Sequence, residues 1–273
     1  MEYSRRNQKG TFYNHLPLTT RQDDQQPVTV FIFNIKSNPE KLPFARNSLK
    51  RAKTIRFPDC LKFIDGCESE SQIIIGTEQV EPLKSILFND LDVNLVRLGL
   101  YKISSTIKFL AEDCKMIHGT ISIHSVYVTR SGEWKLGGFE TLQPIQEESF
   151  LKTHRHILPL DVPLAPELDY ENNTPTSAVD FWLLGCLIFS IFNGSIKNRM
   201  ELESGNRNQI PIVLFRHYKG LVASNPASRL DVARFLKFTT ASKGYFDDDF
   251  IATSLFLEQL ALKDKAEKEN FLL

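Results

Sequence analysis

The 273-residue sequence has no glycine between Gly10 and Gly66. A loop whose amides close around phosphates needs glycine, because a Cβ blocks that approach; the early part of the chain therefore offers no phosphate-covering loop. Net charge is also missing. Lysine plus arginine and aspartate plus glutamate both number 33, which removes any global attraction to nucleic acid or an anionic membrane and leaves only local basic patches. The four cysteines, Cys60, Cys67, Cys114 and Cys186, show no C-x-x-C spacing and no paired histidine cluster. Zinc and a disulfide framework are thus not indicated, and buried or partly buried free thiols in a reducing compartment are the plain reading. The opening MEYSRRNQKG has no apolar h-region and no Met-Gly start, so it reads neither as a secretory signal nor as a myristoylation site. The longest apolar run, residues 181–192, is broken by Gly185 and Ser190 and falls short of the ~20 residues of a membrane span. It predicts a buried core helix, and no membrane insertion is expected.

What is present suits a folded domain. An apolar content of 42% allows a substantial core in one large or two small lobes. Residues 1–26 are polar and close on Asp23-Asp24-Gln25-Gln26 before Pro27, a turn signal. Residues 28–35, VTVFIFNI, are β-branched and aromatic on both faces and predict a central strand. Residues 44–53 predict a helix without an acidic residue; Arg46, Lys50, Arg51 and Lys53, with Arg56 beyond, make a basic cluster. Such a cluster can hold phosphates, although a solvated helix face is the simpler reading. Residues 72–80 predict a strand. Residues 94–112, with Leu95, Leu98, Tyr101, Ile103, Ile107, Leu110 and Ala111 near helical spacing, predict a long amphipathic helix. Two short apolar runs, 125–129 and 133–136, flank Arg130-Ser131-Gly132 and predict a hairpin. Residues 140–166 read as loop, and His154 and His156 beside Arg155 read as surface residues, since an i, i+2 pair lacks a third metal ligand. Near the end, Asp247-Asp248-Asp249 favours a helix start, followed by Phe250, Ile251, Leu255, Leu257, Leu260 and Ala261 as an apolar face, then the charged stretch 263–270.

Around the hairpin the chain resembles a protein kinase. Ile117-His118-Gly119-Thr120 and Gly137-Gly138-Phe139-Glu140 are similar to the His-Arg-Asp loop and the Asp-Phe-Gly turn. Ala165-Pro166-Glu167 matches Ala-Pro-Glu, Asp180 to Gly185 matches Asp-x-Trp-x-x-Gly, and Arg229 matches the arginine that pairs with that glutamate. The resemblance implies an α+β, bilobal fold. Residues 1–80 would form a small, mainly β N-lobe with a five-stranded sheet and one main helix, its first ~26 residues divergent. Residues 81–246 would form a mainly helical C-lobe, and 247–273 a closing helix. His118, Phe139, Glu167, Asp180, Trp182, Gly185 and Arg229 would be structural. Phe57-Pro58-Asp59-Cys60-Leu61 would be the turn after the helix, and Thr77-Glu78 the gatekeeper and first hinge residue.

The chemistry-bearing positions are replaced. Phe31 stands at the phosphate-pairing lysine, Ser48 at its glutamate, Thr120 at the base, Ser125 at a magnesium-binding asparagine and Gly138 at the metal-binding aspartate. A hydroxyl cannot accept the substrate proton near neutral pH, and glycine offers magnesium no carboxylate. The resemblance thus implies a protein that is not an enzyme, with no catalytic residue, metal or cofactor. A divergent kinase using Glu140 or Glu133 as a displaced metal ligand is the alternative, but it must replace the base, both metal ligands and the lysine pair together. Gly119 replaces the arginine that would grip a phosphorylated loop, so phosphorylation of Ser149 or Thr153 would have no usual switch to act on.

The runs GEWKLGGFE, APELDY, DFWLLGCLIFSIFNG, NPASRLDVARFL and FIATSLFLEQLALKDKAEKENF resemble the Scy-like pseudokinases, also called N-terminal kinase-like proteins. The similarity runs from about Val28 to Leu273. It implies a scaffold or adaptor that is cytoplasmic and peripheral to Golgi membranes. Members of that family join a pseudokinase domain to HEAT repeats, bind coatomer and act in Golgi to endoplasmic reticulum traffic; some relatives act in tRNA export. Protein partners are expected, with coatomer and small-GTPase machinery foremost, and tRNA is the alternative partner, unsupported by the charge balance. The closing helix would connect to the first repeat, which is expected to lie beyond Leu273, and the chain shows no dibasic coat-binding tail there.

Overall fold

Four antiparallel strands, β1 (Asn14–Thr20), β2 (Pro27–Asn34), β3 (Phe63–Glu68) and β4 (Gln72–Glu78), form a sheet in the order β1-β2-β4-β3. A computed structural model describes residues 14–20, 27–87, 92–145, 162–169, 176–204 and 209–272. The polar opening before residue 14, the turn signal at 23–26, and Ser149, Thr153, His154 and His156 lie outside them. The sequence predicts β2 as a central strand, and it is one. Thr29, Phe31 and Phe33 are buried and sit opposite Thr77, Ile75 and Ile73 of β4. Helix α1 (Leu42–Thr54) buries Phe44, Ala45, Ser48, Leu49 and Ala52, one helical stripe, and packs on β3 and β4.

The sheet has four strands among the described residues, where five are expected. The strand expected over 72–80 also ends earlier, at Glu78. Val80 has left the sheet: its backbone N–H donates to the Thr29 hydroxyl at 3.0 Å, and its carbonyl accepts from the same hydroxyl at 3.1 Å. It opens β5 (Val80–Pro82), which pairs with the hairpin β7 (Val126–Thr129) and β8 (Trp134–Leu136) in a second sheet. A short pair, β6 (Met116–Ile117) with β9 (Gln143–Pro144), brackets that hairpin.

The rest is helical. After α2 (Leu83–Ile86), helix α3 (Val93–Glu112) starts where the Asp92 carboxylate accepts the Asn94 amide at 2.7 Å. Gly99 on α3 lets the Trp134 ring lie against the helix, since a Cβ there would come within 2.1 Å of it. Helix α4 (Ala178–Asn193) is buried from Ala178 to Ser190, as an all-apolar helix must be. Around it lie α5 (Arg199–Glu203), α6 (Ile212–Leu221), α7 (Val232–Thr239), α8 (Asp249–Glu258) and α9 (Lys265–Leu272). One continuous apolar core runs from Phe31 and Phe33 of the sheet through Tyr127 and Leu136 to α4.

Two expectations change. The apolar face predicted for α8 is mostly open: Ile251 is buried, whereas Leu257 and Leu260 are exposed and Phe256 stacks on Phe271 of α9 at 4.0 Å. Charge adds to the anchorage that Ile251 and the partly buried Leu255 give α8. Arg97 pairs with Asp248, and the buried Lys102 ammonium of α3 pairs with Glu258 and with Asp59 of the turn after α1. Cysteine is the second change, because Cys67 is exposed; all four thiols are free, with Cys60 and Cys186 buried. Among the described residues no helix is long and apolar enough to cross a membrane.

Candidate functional site

The site is assembled where the β6 segment, the hairpin and the start of α4 meet. The Asp180 carboxylate accepts the amides of His118 at 2.7 Å and Gly119 at 2.8 Å, and Gly119 has the positive φ of +83° that this turn requires. Burial pushes the Asp180 carboxyl up to about 7 against the pull of those two amides. His118 lies 2.8 Å through Nε2 from the Gly137 carbonyl. A carbonyl only accepts, so Nε2 carries the proton, and burial lowers the ring's pKa to about 4, which keeps it neutral. Phe139 meets His118 edge-on at 5.9 Å.

The polar side chains expected at the lost catalytic positions are engaged structurally. The Thr120 hydroxyl sits 3.1 Å from that of Thr141, which donates to the His118 carbonyl. The Ser125 hydroxyl accepts the Ser122 amide at 2.9 Å and donates to the Ser122 carbonyl at 3.1 Å. Gly138 is left-handed, φ +73°, and a Cβ there would stand 2.8 Å from the Ser125 Cβ. In the adjoining space lies the buried Glu140 carboxyl, 3.5 Å from that point, which burial pushes up to about 7. Ser48 is buried on α1.

Phe31 meets Tyr127 edge-to-face at 5.4 Å. Gly137 lies under Tyr127, where a Cβ would approach its ring to 2.8 Å. Burial and the neighbouring Glu140 charge both push the Tyr127 phenol up. On the other side Asn47 of α1 donates through Nδ2 to the carbonyls of Glu140 at 2.9 Å and Leu142 at 3.0 Å, and Arg51 Nε reaches the latter at 3.0 Å. Sequence reasoning missed Tyr127 and Asn47. Tyr127 reads as an ordinary strand aromatic, and a lone asparagine at a helix surface carries no sign of the backbone it will meet.

The remaining expected residues come together below. Arg229 holds Glu167 in a two-pronged pair, 2.6 and 2.8 Å, and donates to the carbonyls of Ala178 and Ala223. Its guanidinium lies over Trp182, whose Nε1 donates to the Pro163 carbonyl at 3.0 Å. Gly185 admits Val222, which a Cβ would meet at 2.5 Å. The basic cluster, by contrast, is largely committed: Arg46 pairs with Glu68, Arg51 binds Leu142, and Arg56 folds back on the carbonyls ending α1. Glu133 lies 3.6 Å from Lys135 at the hairpin. Among the described residues no group of three or more His, Cys, Asp or Glu is placed to hold a metal.

Comparison with known proteins follows this architecture. No protein-family model matches the chain. It is 34% identical over 92% of its length to the probable inactive serine/threonine-protein kinase scy1 of Dictyostelium discoideum, covering 31% of that protein. Identity is 26% with the protein kinase domain-containing protein ppk3 of Schizosaccharomyces pombe, over 90% of the chain and 38% of the relative. It is also 26% with the mouse protein-associating with the carboxyl-terminal domain of ezrin, over 91% of the chain and 32% of the relative. The chain thus spans about a third of the length of these relatives. A crystal structure of Cex1p shares the fold, with a TM-score of 0.70, 21% identity, 96% of this chain and 45% of that one covered.

Proposed function

We propose that this chain, whose sequence and α+β, bilobal kinase-like fold place it with the Scy1-like pseudokinases, acts as a catalytically inactive adaptor in intracellular vesicle traffic. One observation carries the inactive part of this reading. The side chains at the positions matched to the lysine, the base and the asparagine are engaged within the protein: Phe31 packs on Tyr127, Thr120 meets Thr141 and Ser125 bonds the Ser122 backbone, while Gly138 brings no carboxylate. Phosphoryl transfer is almost wholly positioning and charge stabilisation, so a site that offers neither lysine nor paired metal ligands keeps little of it. Traffic between Golgi and endoplasmic reticulum, with coatomer or small-GTPase machinery as partners and a location peripheral to Golgi membranes, rests on the family resemblance.

Thermal unfolding with ATP, with and without magnesium, tests the first part. A ligand present at 100 times its Kd raises stability by about 2.7 kcal/mol. The expected result is no shift in either condition. A magnesium-dependent rise in Tm would overturn the reading and restore the divergent kinase. Direct binding of purified coatomer to the chain tests the second part, with retention expected.

The alternative, an RNA-associated adaptor, draws on local similarity to cytoplasmic export protein 1 of Saccharomyces cerevisiae, 32% identical over 44% of the chain and 16% of that protein. Arg46, Arg51 and Arg56 already hold protein partners, whereas Lys50 and Lys53 stay exposed on α1. Salt-dependent retention on a tRNA column would decide in its favour.

A further inference from the structure

A concavity of about 510 Å³ opens beside the end of α4. Four stretches line it: Lys84 and Leu87 at the end of α2, Ser122 to His124 before the hairpin, Val162, and residues between Ser190 and Ile196 at the end of α4. Its size falls within the range of real binding clefts. Among the described lining residues the charge is one-sided, because Lys84 and His124 are there and none is acidic. The Lys84 ammonium has no carboxylate partner among the described residues. It sits 3.3 Å from His124 Nε2.

The wall opposite is backbone. After the Gly194 amide closes α4 on the Ser190 carbonyl at 3.0 Å, neither Ser195 nor Ile196 makes a backbone hydrogen bond to another described residue. Gly194, at φ +81° and ψ −150°, takes a conformation open only to glycine, and a Cβ there would meet nothing within 4 Å. Free amides and carbonyls on a segment edging a cleft can accept an extended chain, whose alternate side chains then fill the pockets beneath. Here those pockets are aliphatic, made by Leu87, Ile123, Ile191 and Ile196, around a cation.

We infer that this cleft is a docking site for an extended peptide segment of a protein partner, with an acidic side chain on Lys84 and aliphatic side chains on either side. A free anion would satisfy the ammonium and leave the aliphatic walls and the Ser195–Ile196 backbone unused, so charge and shape together select a peptide. The site lies apart from the positions matched to the nucleotide chemistry and meets them only at Ser122, whose backbone bonds the Ser125 hydroxyl.

Selection of the chain against a phage-displayed random dodecapeptide library, followed by affinity measurement on the enriched peptides, tests it. Enriched sequences should carry Asp or Glu between aliphatic residues. Their affinity should fall at least tenfold in Lys84→Glu and, independently, in Ile196→Asp, each variant first shown to melt as the parent does. Replacing the acidic residue of the peptide by its amide should cost a similar factor. Absence of enrichment, enriched peptides without an acid, binding indifferent to both variants, or full displacement by inorganic phosphate at equimolar concentration would each overturn the assignment.

Discussion

Glu140 is the most exposed to test of the single residues, because its carboxyl is buried and no cation bonds to it among the described residues. Its pKa rises from 4.5 to about 7 in the fold, so its stabilising contribution is complete below pH 4.5 and is lost as pH climbs through about 7. Asp180 acts in the same sense, from 3.8 to about 7. His118 acts oppositely: its pKa drops from 6.5 to about 4, so its contribution is present above 6.5 and is lost as pH falls toward 4. Their slopes oppose one another below pH 6.5, and the two carboxyls act alone just above it. Glu140→Gln should therefore gain over the parent as pH rises from 5 to 8, by on the order of 5 °C in Tm; an offset independent of pH would refute the burial of that charge. Restoring an acid at Gly138 should fail. Gly138→Asp meets both a left-handed backbone and the Ser125 Cβ, so it should cost about 1–3 kcal/mol and confer no magnesium-dependent rise in Tm.

At the scale of elements, α1 is tied to the turn at 139–142 by the Asn47 amide and by Arg51, which share the Leu142 carbonyl. Asn47→Ala removes the side-chain donor of the Glu140 carbonyl and leaves the Leu142 carbonyl to Arg51 alone, at about 1–3 kcal/mol. Hydrogen exchange should then quicken in α1 while α4 keeps its protection; uniform change across both would argue against a local tie. How legible each element was depends on where its determinants lie. The apolar run of α4, the periodicity of α3 and the Ser131-Gly132 turn of the hairpin are local signals, and all three elements form where they predict. Residues whose roles are set at long range were not legible. Nothing near Thr29 in sequence says that its hydroxyl will take Val80, 51 residues on, out of the sheet. Lys102, within an apolar helix, finds its two carboxylates 43 and 156 residues away. The structural motifs of the site were legible as words, whereas the meeting of Tyr127 with Phe31 and its nearness to Glu140 needed the packing itself.

For the whole molecule, two buried ion pairs hold distant parts of the chain together. Arg229 and Glu167 join the turn before α7 to the approach of α4, with side chains 0% and 5% exposed. Removing one partner leaves a charge without compensation, so Arg229→Met or Glu167→Gln should each cost on the order of 3–5 kcal/mol. The double variant should cost less than the sum, as urea unfolding would show; simple additivity would mean that the two do not act as a pair. The Lys102 cluster works across a wider span, joining the turn below the sheet, the long helix α3 and the closing helix α8. In mechanical terms it is a strut. A load applied at the end of the chain, by whatever follows or grips α8, would pass through a buried ammonium to the sheet before any helix unwinds. Peeling α8 away would strand that ammonium, so the closing helix should transmit tension to the sheet as a stiff coupling instead of trailing as a tether.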